Sequence, residues 1–204
     1  MTKPDTTSDA SLYLDLLKKI LVNSIYRDTS YSQFVNTPPS SDQEIDGLPY
    51  DGSLRESGRD WPKVAHTMVG LKRLDNVHQC LDRVLADDID GDCIETGVWR
   101  GGVCIFIRGF FRAHNCNDRT VWLADSFRGL PELTSRDLTS EEVSIAKSKG
   151  VSFAHSDDTA SILRSANQDL KQANERVLGV SEASVKEAFR RYDLLDDQVR
   201  FLPG

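Results

Sequence analysis

Gly91-Asp-Cys-Ile-Glu-Thr-Gly-Val-Trp-Arg-Gly-Gly102, continued by Val103-Cys-Ile-Phe-Ile-Arg-Gly-Phe-Phe111, is the stretch on which the fold turns. Cys93 and Ile94 read as the end of a short buried strand, and Glu95 to Gly102 as a tight glycine-marked turn. The apolar run that follows opens a helix packed against a sheet. Such a turn is expected to leave backbone N–H groups at a helix N-terminus facing a cleft, where they and the helix dipole stabilise an anionic group of a small ligand. Glycines suit it because the backbone must turn sharply and let a ligand approach without a Cβ.

Spacing narrows the ligand. A dinucleotide fingerprint requires G-x-G-x-x-G, whereas the order here is Gly97-x-x-x-Gly101-Gly102. A P-loop requires Gly-Lys-Ser/Thr, and Gly102 is followed by Val103. S-adenosylmethionine, with an amino-acid end and a ribose but no phosphate, suits an acidic residue at a strand end followed by Gly-x-x-x-Gly-Gly. Glu95 would accept hydrogen bonds from it and the turn would cradle its methionyl part. The bland alternative is a tight strand-to-helix connection.

Thirty residues on, Thr120-Val-Trp-Leu-Ala124 is a near-continuous apolar run, as expected of a parallel strand buried on both faces. It ends in Asp125-Ser-Phe-Arg-Gly-Leu-Pro131. A carboxylate at the tip of the second strand of a βαβ unit is where a ribose diol is held. Taken alone, Asp125 could equally cap a loop; paired with the glycine turn at βαβ distance, the ligand reading is preferred.

Glu95-Thr-Gly-Val-Trp-Arg-Gly-Gly102 together with Trp122-Leu-Ala-Asp-Ser-Phe-Arg-Gly-Leu-Pro131 resembles the macrocin (TylF/MycF-type) sugar O-methyltransferases of antibiotic biosynthesis. The resemblance extends to Leu12-Tyr-Leu-Asp-Leu-Leu17, Asp60-Trp-Pro62 and the run from Ala65 to Asn76. It continues in Phe189-Arg-Arg-Tyr192 and from Leu194 to Gly204, leaving out only about 30–50 and 132–176. It implies a Rossmann-like class I methyltransferase fold, S-adenosylmethionine, a divalent metal (usually magnesium), and methyl transfer to a hydroxyl of a sugar or glycosylated natural product. The cofactor residues it implies are Met68, Glu95, Thr96, Gly97, Val98, Trp99, Arg100, Gly101, Gly102, Asp125 and Ser126.

Outward from these motifs, 204 residues suit one domain of ordinary size, and 39% hydrophobic with 28% charged residues is globular. A net charge of −7 argues against nucleic acid or an anionic membrane as partner. No signal peptide or bilayer-spanning run is visible. The four cysteines, Cys80, Cys93, Cys104 and Cys116, have no C-x-x-C spacing. Three fall in apolar elements and read as buried thiols of a reducing cytoplasm. No zinc site is indicated.

Along the chain, Ser8 or Asp9 can cap a helix whose stripe is Leu12, Leu16, Leu17, Ile20, Leu21 and Ile25. Residues 28–60, including Thr37-Pro-Pro-Ser40, read as a long irregular linker; the family's mobile active-site lids imply instead a segment that orders over ligands. Residues 1–60 thus form a helix and lid region, and 61–204 the cofactor-binding domain. Leu71, Leu74, Val77, Leu81, Val84 and Leu85 trace a helix face. Met68 at its start would be core packing but for the resemblance, which places it close to the cofactor. Asp87-Asp-Ile-Asp-Gly-Asp92 fails as a calcium loop, with Gly91 out of register and no closing Glu, and is a solvated turn. In 132–178, Thr134, Ser135, Ser140, Glu141 and Glu142 suggest helix starts within a lid over the sheet's carboxyl edge. His155 with Asp157 and Asp158 could form a base or a metal cluster, but an exposed polar loop is the preferred reading, and His66, His78 and His114 earn no functional assignment. Ser181 or Ser184 caps a helix bearing Val185, Ala188, Phe189 and Tyr192, before a strand at Val199–Leu202.

Strands near 92–95, 120–124 and 198–202 make the 3-2-1 half of a doubly wound sheet, whose cofactor sits where strand direction reverses. In the resembling family, the strands beyond strand one carry the metal-binding aspartates and the base. No catalytic residue or metal ligand is therefore assigned, magnesium is expected only from the family, and a truncated enzyme, weakly active or inactive as this chain, is expected. Strand one, apolar on both faces, would be an open edge prone to pairing. This keeps a homo-oligomer, or a non-catalytic interaction module, as the alternative. A nicotinamide-dependent oxidoreductase is disfavoured by the missing G-x-G-x-x-G.

Overall fold

The computed structural model describes residues 8–31, 47–137 and 159–204, with side chains from 163 onward in the last stretch. Thr37–Ser40, Ser140, Glu141, Glu142, His155, Asp157 and Asp158 lie outside the described residues.

Three parallel strands form the centre: β3 (Cys93–Thr96), β4 (Val121–Asp125) and β5 (Val199–Pro203), in the spatial order β3-β4-β5. Before them come α1 (Asp9–Leu21), β1 (Ser30–Tyr31), α2 (Gly52–Ser57), β2 (Trp61–Pro62) and α3 (Gly70–Ala86). Helix α4 (Gly102–Ala113) connects β3 to β4, and α5 (Thr159–Ala173) and α6 (Glu182–Arg191) lie between β4 and β5. The expected strand order and the strand–turn–helix reading of 93–113 are both present.

Register sorts the side chains. Glu95, Leu123 and Phe201 are neighbours across the sheet, and so are Ile94, Trp122 and Arg200. The first row, with Cys93, Val121 and Val199, faces α4 and α6; Phe189 of α6 meets Phe201 at 6.4 Å between ring centroids. The second row is open: Ile94 is 61% exposed and Leu202 is also exposed. The expectation of strands buried on both faces is thus corrected. Each has one buried face, because the described helices α4 and α6 cover only one side. Trp122 offsets its half-exposure by donating Nε1–H to Asp92 Oδ2 at 2.8 Å.

Helix α4 is the hub. Ile105, Phe106, Phe110 and Phe111 are fully buried, with α1 and α3 packed alongside. Gly109 permits the close approach, since a Cβ there would stand 2.6 Å from Leu17 Cδ2. Ser8 caps α1, its Oγ accepting from Ser11 N–H, as expected. The buried stripe, however, is Leu14, Leu17 and Leu21; Leu12 and Leu16 point to solvent. The apolar content of α1 is broad enough to present two stripes, and packing against α4 selected one.

The segment read as a linker is partly ordered. Arg55 of α2 is 1% exposed. Its Nε donates to Asp60 Oδ2 at 2.6 Å, and its Nη1 donates to Asp28 Oδ1 at 2.7 Å and to the Val22 carbonyl at 2.8 Å. Thr134 and Ser135 start a turn closed by Asp137 rather than a helix. Of the cysteines only Cys104 is fully buried; Cys80 faces solvent. No helix among the described residues is long and apolar enough to cross a membrane.

Candidate functional site

At the carboxyl ends of β3 and β4 the two quoted motifs meet. The turn takes left-handed backbone at Gly97 (φ 82°), Trp99 (φ 51°) and Gly101 (φ 83°); glycine supplies it without a Cβ clash at two of them, and Trp99 adopts it as a non-glycine residue. Asp125 closes the turn from the neighbouring strand: its Oδ2 accepts Val98 N–H at 2.6 Å and Trp99 N–H at 3.3 Å. Its Oδ1 accepts Phe127 N–H at 2.8 Å. The carboxylate caps two turns, as the loop-capping reading expects, and Oδ1 keeps a lone pair for a further donor.

The expected row of open N–H groups is corrected by the hydrogen bonding. Gly97 N–H donates to the Ala124 carbonyl, Gly101 N–H to the Val98 carbonyl and Gly102 N–H to the His66 carbonyl. With Val98 and Trp99 held by Asp125, five of the turn's donors are satisfied within the protein. An anion hole is therefore not what the turn offers. What it does offer is space: a Cβ built on Gly97 would meet no atom within 4 Å. Gly102, by contrast, is pressed against the chain, its notional Cβ lying 2.5 Å from the His66 carbonyl oxygen.

Glu95 points to the buried face behind the turn. Its Oε2 accepts from Cys104 Sγ at 2.9 Å. Burial pushes its carboxyl up to about 7, more than the Cys104 hydrogen bond draws it down, and Asp125 adds to the rise. Burial likewise raises the Cys104 thiol well above its usual range, with Glu95 adding to that. A cationic ligand group near Glu95 would stabilise its ionised form.

The remaining motif residues act as fasteners. Trp99 Nε1–H donates to the Val177 carbonyl at 2.7 Å, and the Arg100 guanidinium lies 4.1 Å over the indole ring. Arg100 Nη1 donates to the carbonyls of Pro62 (3.2 Å) and Ala65 (3.0 Å). Ser126 Oγ donates to the Gly129 carbonyl, shaping the loop after β4. Thr96 is exposed at the strand tip, and Met68 is half-buried just beyond the His66–Thr67 contact with Gly102. Ten of the eleven sequence-selected residues thus lie on β3, the turn, the start of α4 and the tip of β4, at the carboxyl ends of the strands, while Met68 follows Thr67 ahead of α3.

Three contributors escaped the sequence reading. Asn174 clamps the loop after β4, its Oδ1 accepting Leu130 N–H and its Nδ2 donating to the Leu130 carbonyl. Asn167 of α5 does the same for Leu133. Their seven-residue spacing, two helical turns, was the available signal. Asp28 is the third: its Oδ2 accepts Val64 N–H at 2.6 Å and Ala65 N–H at 3.2 Å, fixing the segment that carries the Arg100 acceptors. Among the described residues no group of three or more His, Cys, Asp or Glu is placed to hold a metal ion.

Residues 10–204 match the family model described as Macrocin-O-methyltransferase (TylF). The chain is 42% identical over its whole length to a demethyldecarbamoylnovobiocin O-methyltransferase of Streptomyces niveus, covering 65% of that protein. It is 44% identical over 97% of its length to a mycinamicin III 3''-O-methyltransferase of Micromonospora griseorubida, covering 65% of that protein. The solved structure of the O-methyltransferase NovP superposes with a TM-score of 0.68 at 42% identity, over 96% of this chain and 64% of that one. The chain therefore spans a little under two thirds of the length of these relatives, and its mixed α/β architecture is that of a Rossmann-like methyltransferase.

Proposed function

The chain belongs to the macrocin-O-methyltransferase (TylF) family, and from that premise we propose that it serves S-adenosylmethionine-dependent methyl transfer to a hydroxyl of a sugar or glycosylated natural product. The observation that carries this reading is the clasp between Asp125 Oδ2 and the N–H groups of Val98 and Trp99. It sets the Glu95–Gly102 turn beside Asp125–Ser126, with open space over Gly97. The residues suit this cofactor: satisfied turn donors disfavour a phosphate, and two carboxylates suit a ligand with a cationic amino-acid end and a ribose.

When bound, the cofactor supplies a methyl group already activated on a sulfonium, so the protein's task is alignment more than proton transfer. Glu95 would face the amino-acid end, Asp125 Oδ1 would receive a ribose hydroxyl, and Met68 would close the site from the start of α3. Among the described residues no group of three or more His, Cys, Asp or Glu is placed to hold magnesium. Titration calorimetry of this chain with S-adenosylmethionine and S-adenosylhomocysteine tests the proposal. Saturable binding of either, weakened by Asp125→Ala, is expected; absence of heat with both overturns it.

A second reading is favoured by one observation: β3 has a strand neighbour on one side only among the described residues, with Ile94 exposed. On that reading the edge pairs with another copy of the chain. Light scattering should then show an oligomer that Ile94→Lys dissolves; a monomer at all concentrations would exclude it.

A further inference from the structure

Behind the glycine turn, between the Lys63–His66 segment and one face of α6 from Ala183 to Arg191, lies a cleft of about 680 Å³. That volume falls within the range of small-molecule sites. Of the residues assigned to the cofactor only Arg100 lines it; Gly97, Glu95 and Asp125 do not, so the two sites meet at Arg100 and otherwise differ. Its walls carry Lys63, Arg100, Arg176 and Arg191, against the single carboxylate of Glu187. That local excess of positive charge stands out in a chain whose net charge is −7.

The cations differ in commitment. Arg191 leans on Glu187 at 3.6 Å. Arg100 is held over Trp99 and by two carbonyls through Nη1, and the Tyr31 hydroxyl and Asp28 carboxylate lie within its electrostatic reach. Arg176 is exposed at the rim. His66 completes the polar wall, edge-on to Tyr192 at 5.4 Å. Burial, then Arg100 and Arg191, lower its imidazole to about 4, so it is neutral at physiological pH. Guanidinium groups recognise planar or tetrahedral oxyanions through paired N–H donors, and three of them line this cleft.

We propose that this cleft binds a small molecule bearing a multiply charged oxyanion, phosphate or clustered carboxylate, between Arg100, Arg176 and Arg191. The proposal is independent of methyl transfer and stands if the turn binds no S-adenosylmethionine.

Calorimetry with inorganic pyrophosphate and, separately, with citrate tests it, using the whole chain. Saturable binding of at least one is expected, and which one binds identifies the oxyanion. The double variant Arg176→Gln, Arg191→Gln should weaken that binding by about tenfold or more. Arg83→Gln, an exposed change on α3 away from the cleft, should leave it unchanged. In parallel, the His66 imidazole followed by proton NMR should titrate about one unit higher or more with the anion bound. No saturable binding of either anion, equal binding by the double variant, or an unmoved His66 overturns the proposal.

Discussion

Glu95 combines burial, a thiol donor and a nearby Asp125, and its titration is measurable. Its carboxyl is raised from an ordinary 4.5 to about 7. The folded state therefore holds a proton that the unfolded state releases. The corresponding stability is fully present below about pH 4.5 and is lost as pH rises to about 7. At about 1.4 kcal/mol per unit, Glu95→Gln should stabilise the chain at pH 8 by up to about 3 kcal/mol and flatten its pH dependence between 4.5 and 7. Urea melts across that range check this. If the cationic end of S-adenosylmethionine lies beside Glu95, its affinity should rise through pH 7 in the wild type and not in the variant. The role of Asp125 shows how a residue's type is legible when its geometry is not. An acid at a strand tip was visible in the sequence, but its grip on Val98 and Trp99 depends on β4 lying beside β3.

At the scale of elements, the turn and α4 form one rigid unit, because Gly102 lies against the His66 carbonyl and Thr67. Gly102→Ala, with ordinary backbone but a Cβ 2.5 Å from that oxygen, should cost about 1–3 kcal/mol by overpacking. A lowered urea midpoint with unchanged slope would show it. Gly109→Ala sets two effects against each other. Helix propensity gains about 1 kcal/mol, while the 2.6 Å approach to Leu17 Cδ2 forces α1 away. Overpacking should win, giving net destabilisation, because Leu17 is itself wedged in the core. The periodicity of α3 and α6 identified their buried faces, whereas that of α1 did not. Leu12 and Leu16 are as apolar as Leu14 and Leu17, and only the position of α4 decides between them.

Across the whole molecule, a polar relay ties the N-terminal segment to the site. Arg55 holds Asp28, Asp28 holds Val64 and Ala65, and the carbonyls of Pro62 and Ala65 receive Arg100 of the turn. Arg55→Leu would leave Asp28 and Asp60 buried without their cation, which should cost about 3–5 kcal/mol. Thermal melts should show the loss, and ligand binding at the turn should weaken with it although Arg55 touches no ligand. A melt indistinguishable from wild type would mean that water replaces the guanidinium and that the relay is ornamental.

The sequence alone determined the parallel sheet, its order, the glycine turn and the family, because these rest on local signals: apolar runs, turn residues and short motifs of fixed spacing. Tertiary structure decided which faces are buried, that the turn's N–H groups are already occupied, that Arg55 is interior, and that Arg100, Arg176 and Arg191 share one cleft. The physical reason is range. Strand and turn propensities act over a few residues, whereas burial and charge convergence depend on which distant segments the packing brings together.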